Sequence, residues 1–450
     1  MRALLPAMLG LVLLVPLVPA QAPLAWWEQP LGIPEGERAS LPANPSIVLP
    51  VMPGDDVIVP VDRNQDEFSI AANPTNPDNL VAGANDYSLG DAWAGFYTTS
   101  DGGAHWTHGY IPLPSLYTAS GDPAIAFDKD GAAYYIGIAF NRGSTNGGAN
   151  GIFVSKSTDG GQTWVTSIPF SSPNGGTFHD KPYVATDPNS GAILLTYTHF
   201  GSNGGISFSK STDGGLTFSP RKVLGGGQFS LPVAGNNGEI YVTWAGGGAQ
   251  FVRSLDGGAT FQSFSTGMFL AINPPGVNFR YSAYPAMGVA RGGPNPGRIW
   301  LAGPQGADIV VQSSDDKGAT WSAAQAIQRD GIQFNEWLAV QPDGTVGVSY
   351  MDTYPETMPL GLSGTLFGPE PLGHSLSVRD PLLGIWTHQL LTDQQSRKST
   401  TSFWGDYEGL AATSKGFHPA FGDGRNGDGC GCVSPAKLDF GTMRVNPHLI

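Results

Sequence analysis

From about residue 65 onward the chain alternates short apolar runs with polar, glycine-rich turns. Runs such as Tyr134-Tyr135-Ile136-Gly137-Ile138, Ile193-Leu194-Leu195-Thr196-Tyr197 and Ile240-Tyr241-Val242-Thr243-Trp244 are rich in β-branched and aromatic residues. They are too short for helices, so each predicts a buried strand. Ahead of the strands stands a second recurring segment, in which the first residue opens an apolar run. It occurs seven times, at Glu67-Phe68-Ser69-Ile70, Asp122-Pro123-Ala124-Ile125, Lys181-Pro182-Tyr183-Val184, Leu231-Pro232-Val233-Ala234, Tyr284-Pro285-Ala286-Met287, Glu336-Trp337-Leu338-Ala339 and Tyr407-Glu408-Gly409-Leu410.

One turn also recurs. The pattern Ser/Thr-x-Asp-x-Gly-x-x-aromatic occurs at Thr99-Asp101-Gly103-Trp106, Ser157-Asp159-Gly161-Trp164, Ser211-Asp213-Gly215-Phe218, Ser254-Asp256-Gly258-Phe261 and Ser314-Asp316-Gly318-Trp321, with a degenerate sixth between Ser377 and Trp386. Successive aspartates are 58, 54, 43 and 60 residues apart. The carboxylate can accept backbone N–H groups within the turn. Glycine supplies the positive φ of a tight hairpin, and the aromatic opens the next strand, where it can wedge between sheets. Asp101, Asp159, Asp213, Asp256 and Asp316 are therefore structural, turning strand three into strand four. Four strands repeated every 50 or so residues predict an all-β β-propeller. Seven four-stranded blades are favoured, with six as the alternative if a terminal unit is not a true blade. The last unit lacks the turn, and the β-branched runs Ser46 to Val51 and Asp56 to Asp62 are expected to supply its outer strands and close the ring. The propeller is expected over 23–427, and 428–450 is a tail or the start of a small appended β-module.

The first 22 residues have the form of a cleaved export signal: Arg2, an apolar run from Leu4 to Val18 broken by Pro6, Gly10 and Pro16, then Ala20 and Ala22. That run is too short for a membrane span, which needs about 20 apolar residues, so a secreted, extracellular or periplasmic protein is expected. Charged residues are 13% of the chain, against roughly 25% in an average globular protein, while Gly at 63 and Pro at 37 are enriched, as a turn-rich β fold requires. The net charge is -14 and the basic pairs Arg221-Lys222 and Arg397-Lys398 are not extended into runs, which excludes nucleic acid as the partner. An acidic surface suits a glycan or an extracellular protein ligand. Cys430 and Cys432, one residue apart, would form a strained bridge and have no neighbouring ligand for a metal.

The turn and two longer motifs resemble the sialidase superfamily, and more closely the exported Asp-box propellers with a Glu-x-x-Ile-Ala-x-Asn-Pro start and a Gly-Asp-Tyr-x-Gly-Leu-Ala finish. Here those are Glu67-Phe68-Ser69-Ile70-Ala71-Ala72-Asn73-Pro74 and Gly405-Asp406-Tyr407-Glu408-Gly409-Leu410-Ala411, and the likeness covers roughly residues 60 to 427. In that superfamily the enzymes use an arginine triad on the substrate carboxylate, a Tyr nucleophile helped by a Glu, and an Asp acid/base. Their opening Phe-Arg-Ile-Pro is replaced by Phe68-Ser69-Ile70-Ala71, so the first triad arginine is missing. The resemblance implies the fold rather than the activity.

It also implies that strand-one entries share a face with the loops between strands two and three. Candidate catalytic residues there are Tyr407, Glu408, Asp406 and Asp122, where crowded carboxylates raise one another's pKa and supply a general acid. Tyr407 beside Glu408 imitates the Tyr–Glu pair, although adjacent strand residues point to opposite faces. Candidate ligand-binding residues are Arg142, Arg280 and Arg425, whose guanidinium forks suit a carboxylate, with Glu67, Asp180, Lys181 and Glu336. No metal site is expected beyond a calcium ion that the oxygen-rich run Asp423 to Asp428 would suit, and its spacing departs from the EF-hand loop. Two functions fit: an exported propeller that holds a glycan or protein on its axial face without sialidase catalysis, or an exo-sialidase-like glycoside hydrolase or lyase acting on an acidic sugar.

Overall fold

The computed structural model describes residues 46–49, 56–59, 65–113, 115–141, 148–172, 176–270, 282–327, 332–352, 371–392, 396–397, 405–423 and 439–443. The signal segment 1–22 and the pair Cys430 and Cys432 lie outside the described residues. Among those described there is no helix, and so none long and apolar enough to cross a membrane.

The apolar runs form the strands. Ile193–Phe200 buries every residue but its last, because both faces of its sheet are packed, and the alternation of a half-exposed strand is lost. Six sheets have four strands each, as a blade should. Five follow in chain order at 65–110, 119–172, 178–225, 228–265 and 286–326. The sixth joins Gly409–Thr413, Gly416–Asp423, Asp439–Met443 and Asp56–Val59. A further sheet, beginning at Gln333–Val340, has six strands. The favoured count of seven four-stranded blades is thus not met; the alternative of six is. Innermost strands touch in the cyclic order 65–73, 119–127, 178–186, 228–234, 286–289, 333–340, 409–413 and back to 65–73, which makes the molecule a β-propeller.

The N-terminal runs part company, contrary to expectation. Asp56–Val59 pairs antiparallel with Asp439–Met443, while Ser46–Leu49 adds in parallel to Trp386–Leu390 of the six-stranded sheet. The reason lies in Asp439–Met443, which takes the third-strand place beside Gly416–Asp423. Only one outer place was left to fill in the closing sheet.

The five repeat turns join third strands to fourth. In each the Asp carboxylate accepts a backbone N–H four residues on, as from Thr163 to Asp159 at 3.0 Å and from Thr217 to Asp213 at 3.0 Å. The Ser hydroxyl accepts from the glycine, as from Gly161 to Ser157 at 2.9 Å. The turns also plug into the preceding sheet. Thr98 donates to the Gly160 carbonyl at 2.6 Å, Lys210 to that of Gly257 at 3.0 Å, and Arg253 to those of Asp316 and Lys317 at 3.1 and 3.0 Å. Gly215, at φ 87°, lies where a Cβ would stand 2.8 Å from Val154 of the sheet before. Aromatics from the turns pack into the same seams, Trp321 edge-on to Phe251 at 5.2 Å and Phe261 to Phe208 at 5.0 Å.

Two outcomes follow for the turns. Ser157→Ala removes the acceptor for the buried Gly161 N–H and lowers unfolding stability by about 1 kcal/mol, read by urea titration. The Thr217 hydroxyl and N–H, with the Ser211 hydroxyl, draw the Asp213 carboxyl down to about 2. Its contribution is complete above the unfolded value near 3.8 and is lost as pH falls toward 2; acid titrations of Asp213→Ala should lose that step.

Candidate functional site

Five innermost strands carry the same irregularity. Their register slips between Asp66 and Ser69, Gly121 and Ala124, Asp180 and Tyr183, Gln228 and Leu231, and Phe334 and Trp337. Inside each slip one non-glycine residue has a positive φ: Glu67 at 57°, Asp122 at 55°, Lys181 at 46°, Phe229 at 56° and Asn335 at 52°. A bulge re-aims a side chain, and holding a non-glycine residue left-handed costs of order 1–3 kcal/mol, a cost that clusters at functional sites. Here it turns side chains of successive sheets toward one axis.

Lys181 is the centre of what they build. Its Nζ donates to Glu67 Oε1 at 2.5 Å, and lies 3.1 Å from Asp406 Oδ2 and 3.6 Å from Asp122 Oδ1. Its own backbone N–H donates to Asp122 Oδ2 at 3.0 Å. The ammonium stands 5.0 Å from the Tyr407 ring centroid and 5.8 Å from that of Phe229. Asn85 ties the acids together: its amide donates to Asp66 and Glu67, both at 2.9 Å, and its carbonyl accepts the Asp122 N–H at 2.8 Å. A Cβ on Gly121 would lie 2.5 Å from that carbonyl oxygen, so the amide fits only against glycine. Ser282 donates to Asp406 at 3.1 Å.

Lys181, Glu67, Asp122, Asp406, Asn85, Phe229 and Ser282 line a cavity of about 450 Å³, together with Asp180, Tyr87, Phe140 and Gln228. One cation faces four lining carboxyls among the described residues, and the imbalance shows in their proton affinities. Burial raises Glu67 to about 8, against the pull of Lys181 and with the push of Asp122. Asp122 and Asp180 are raised by burial too, although Lys181 lowers both. Asp66, behind Glu67, is pushed well up by burial and then by Glu67 itself. Near neutral pH the Glu67 carboxyl is therefore protonated and donates to Asp122.

The expected site residues divide. Glu67, Asp122, Asp180, Lys181 and Asp406 converge on the cavity. Tyr407 and Glu408 do not line it. The Tyr407 ring is buried beneath Lys181, edge-on to Tyr183 at 5.4 Å, with its hydroxyl donating to the Pro123 carbonyl at 3.3 Å. Glu408 is buried on His374, 2.7 Å away. Glu336 is fully buried outside the cavity, both carboxylate oxygens lack a hydrogen-bond partner, and burial drives its pKa well up. Arg142, Arg280, Arg425 and the 424–428 part of the calcium run lie outside the described residues. Among the described residues no three His, Cys, Asp or Glu are grouped to hold a metal ion. Asn85, Ser282, Phe229 and Gln228 escaped the sequence reading. Asn85 precedes Asp86 on a second strand and has no motif of its own, and Phe229 replaces the polar residue that the other bulges carry.

No protein-family model matches the chain, and no curated protein matches it in sequence. Among solved structures it is similar to a Dyadobacter fermentans protein of unknown function, at 13% identity over 88% of this chain and 100% of that one, TM-score 0.48. It is similar to the intramolecular trans-sialidase of Ruminococcus gnavus solved with oseltamivir carboxylate, at 12% identity over 85% and 94%, TM-score 0.43. A third is the Penicillium chrysogenum α-L-arabinanase solved with arabinobiose, at 14% identity over 87% and 98%, TM-score 0.47.

Replacing Lys181 by Met strands buried acids and should cost about 3–5 kcal/mol, seen as a lower urea midpoint. The raised Glu67 gives the opposite pH sign from the turns. Its protonated form is favoured in the fold, so its stabilisation is complete below the unfolded value of 4.5 and lost as pH climbs through about 8. Stability measured across that window should fall in the wild type, and Glu67→Gln should flatten the curve.

Proposed function

We propose that this chain is an exported, sialidase-like Asp-box propeller, cut after residue 22, that binds a glycan in the axial cavity, and that the bound sugar is neutral. The observation that carries the reading is the ring of Glu67, Asp122, Asp180 and Asp406 around Lys181. Carboxylates, an amide and an ammonium at hydrogen-bonding distance from one another form the mixed donor and acceptor set that sugar hydroxyls require. The cavity volume is that of a small-ligand site. Phe140, which lines it, lies 6.5 Å from the half-exposed Phe178, giving an apolar flank for a sugar face. An acidic sugar would meet a surplus of like charge in a poorly screened place, which favours the neutral ligand over the sialic-acid reading. The turn motifs support membership of the Asp-box class, and the propeller is taken to begin after residue 22 and run to about 427, with its closing strand drawn from 439–443.

A second reading has its own support. Glu67, protonated up to about 8, is the form a general acid takes in glycoside hydrolysis. Both readings are tested together with a glycan array and a panel of aryl glycosides, on the wild type, Asp406→Asn and Glu67→Gln. Binding of neutral glycans should weaken on the order of tenfold or more in Asp406→Asn. Turnover that Glu67→Gln abolishes while binding persists selects the enzyme. Preference for sialylated glycans, or undiminished binding by Asp406→Asn, rejects the neutral-glycan site.

A further inference from the structure

Five repeat turns carry Asp two residues after their Ser or Thr; at the degenerate sixth, after Ser377, that place belongs to Arg379. The turn is still closed, because Asp380 accepts the N–H groups of Leu382 and Leu383 at 2.8 and 2.6 Å. Arg379 is thereby released from the turn. Its guanidinium carbon stands 4.9 Å from the Trp300 ring centroid, and that of Arg298, from the neighbouring sheet, stands 5.7 Å from it. Both line a cleft of about 160 Å³ between the 286–326 sheet and the six-stranded sheet, with Trp386, Gln312 and Gln325.

The two guanidiniums differ in what they hold. Arg298 is bound to Asp315 through two hydrogen bonds of 2.7 and 2.8 Å. Arg379 makes no ion pair and no side-chain hydrogen bond among the described residues, and the Asp380 carboxylate acts on it only through space. Burial first, and then Arg298, pulls its pKa below the usual arginine range against the opposing pull of Asp380, as happens to a half-buried cation beside another. The Trp386 indole N–H is also without an acceptor, but so are those of Trp164 and Trp321 in their turns; the guanidinium is what sets this cleft apart. In a chain with 23 Lys and Arg against 37 Asp and Glu, such a meeting of cations stands out. Arg298 precedes the second strand of its sheet and Arg379 ends the third of the other, so the cleft lies at the turn end of the strands, away from the axial cavity.

We propose that this cleft is a separate oxyanion site, which takes a sulfate or carboxylate group on the guanidinium fork of Arg379, with Arg298 beside it. A free guanidinium binds such groups through two parallel hydrogen bonds, which a lysine cannot reproduce. Sodium sulfate, sodium acetate and sodium chloride are titrated at one ionic strength, with melting temperature and calorimetric affinity as readouts. Wild type should show a saturable rise with sulfate or acetate and none with chloride, and those two arms tell a tetrahedral from a planar group. Arg379→Gln should weaken the preferred anion on the order of tenfold. Arg379→Lys, which keeps the charge and carries the test if the Gln variant does not fold, should weaken it several-fold, and Asp406→Asn should respond as wild type does. An equal response in an Arg379 variant and wild type, a response shared with chloride, or loss of the response in Asp406→Asn overturns the site.

Discussion

A ring of sheets stands only if each sheet is fastened to the next at a fixed distance, and here the fastening is the turn between strands three and four. Each turn is closed inwardly by its own Asp and Ser, which leaves its outer carbonyls free for the sheet before it: Gly160 for Thr98, Gly257 for Lys210, Asp316 for Arg253. The glycine that permits the turn is also the one that lets it approach, since Gly215 has no Cβ to meet Val154. Local conformation and packing between sheets thus rest on one set of atoms. Hydrophobic burial then fills the seam the turn has defined.

With the outer rim fixed, strain can be tolerated at the axis. Left-handed Glu67, Asp122 and Lys181 are held in sparsely populated conformations by strands that are hydrogen-bonded on either side of the slip. Their convergence puts acids together beyond what one ammonium neutralises, so the fold keeps protons on some of them instead. A binding site whose hydrogen-bonding pattern includes carboxylic acid O–H groups as donors is the outcome. The same surplus of negative charge leaves the paired guanidiniums of the distant cleft conspicuous.

Much of this was legible in the chain, for physical reasons that also explain the failures. Strands and turns are local: Ser157-Asp159-Gly161-Trp164 specifies its hairpin within eight residues, and repetition makes the architecture plain. The polar strand entries Glu67, Asp122, Asp180, Lys181 and Asp406 were visible for the same reason. Which way a side chain points is not local once a bulge intervenes. Tyr407 beneath the lysine and Glu408 on His374 are set by contacts with Pro123 and with the six-stranded sheet, and nothing beside them in sequence announces it. Asn85 bridges three acids from two other strands. The separation of Ser46–Leu49 from Asp56–Val59 depended on a competitor nearly four hundred residues away, Asp439–Met443.

That competitor makes the closing sheet unlike the others. Every other four-stranded sheet is one continuous stretch of chain, whereas this one is clasped from both directions, Asp56–Val59 lying outside Asp439–Met443. The ring therefore behaves as a bracelet whose clasp is the last thing made: residue 443 must be synthesised before residue 56 has a partner. Clip the clasp on either side and the remaining sheets keep their strands, but a row of bare N–H and C=O groups is left open, on Asp439–Met443 or on Gly416–Asp423. Lose Asp439–Met443 and the outer edge of the sheet passes from the four-residue Asp56–Val59 to the eight-residue Gly416–Asp423, a longer template for a strand from a second copy of the chain.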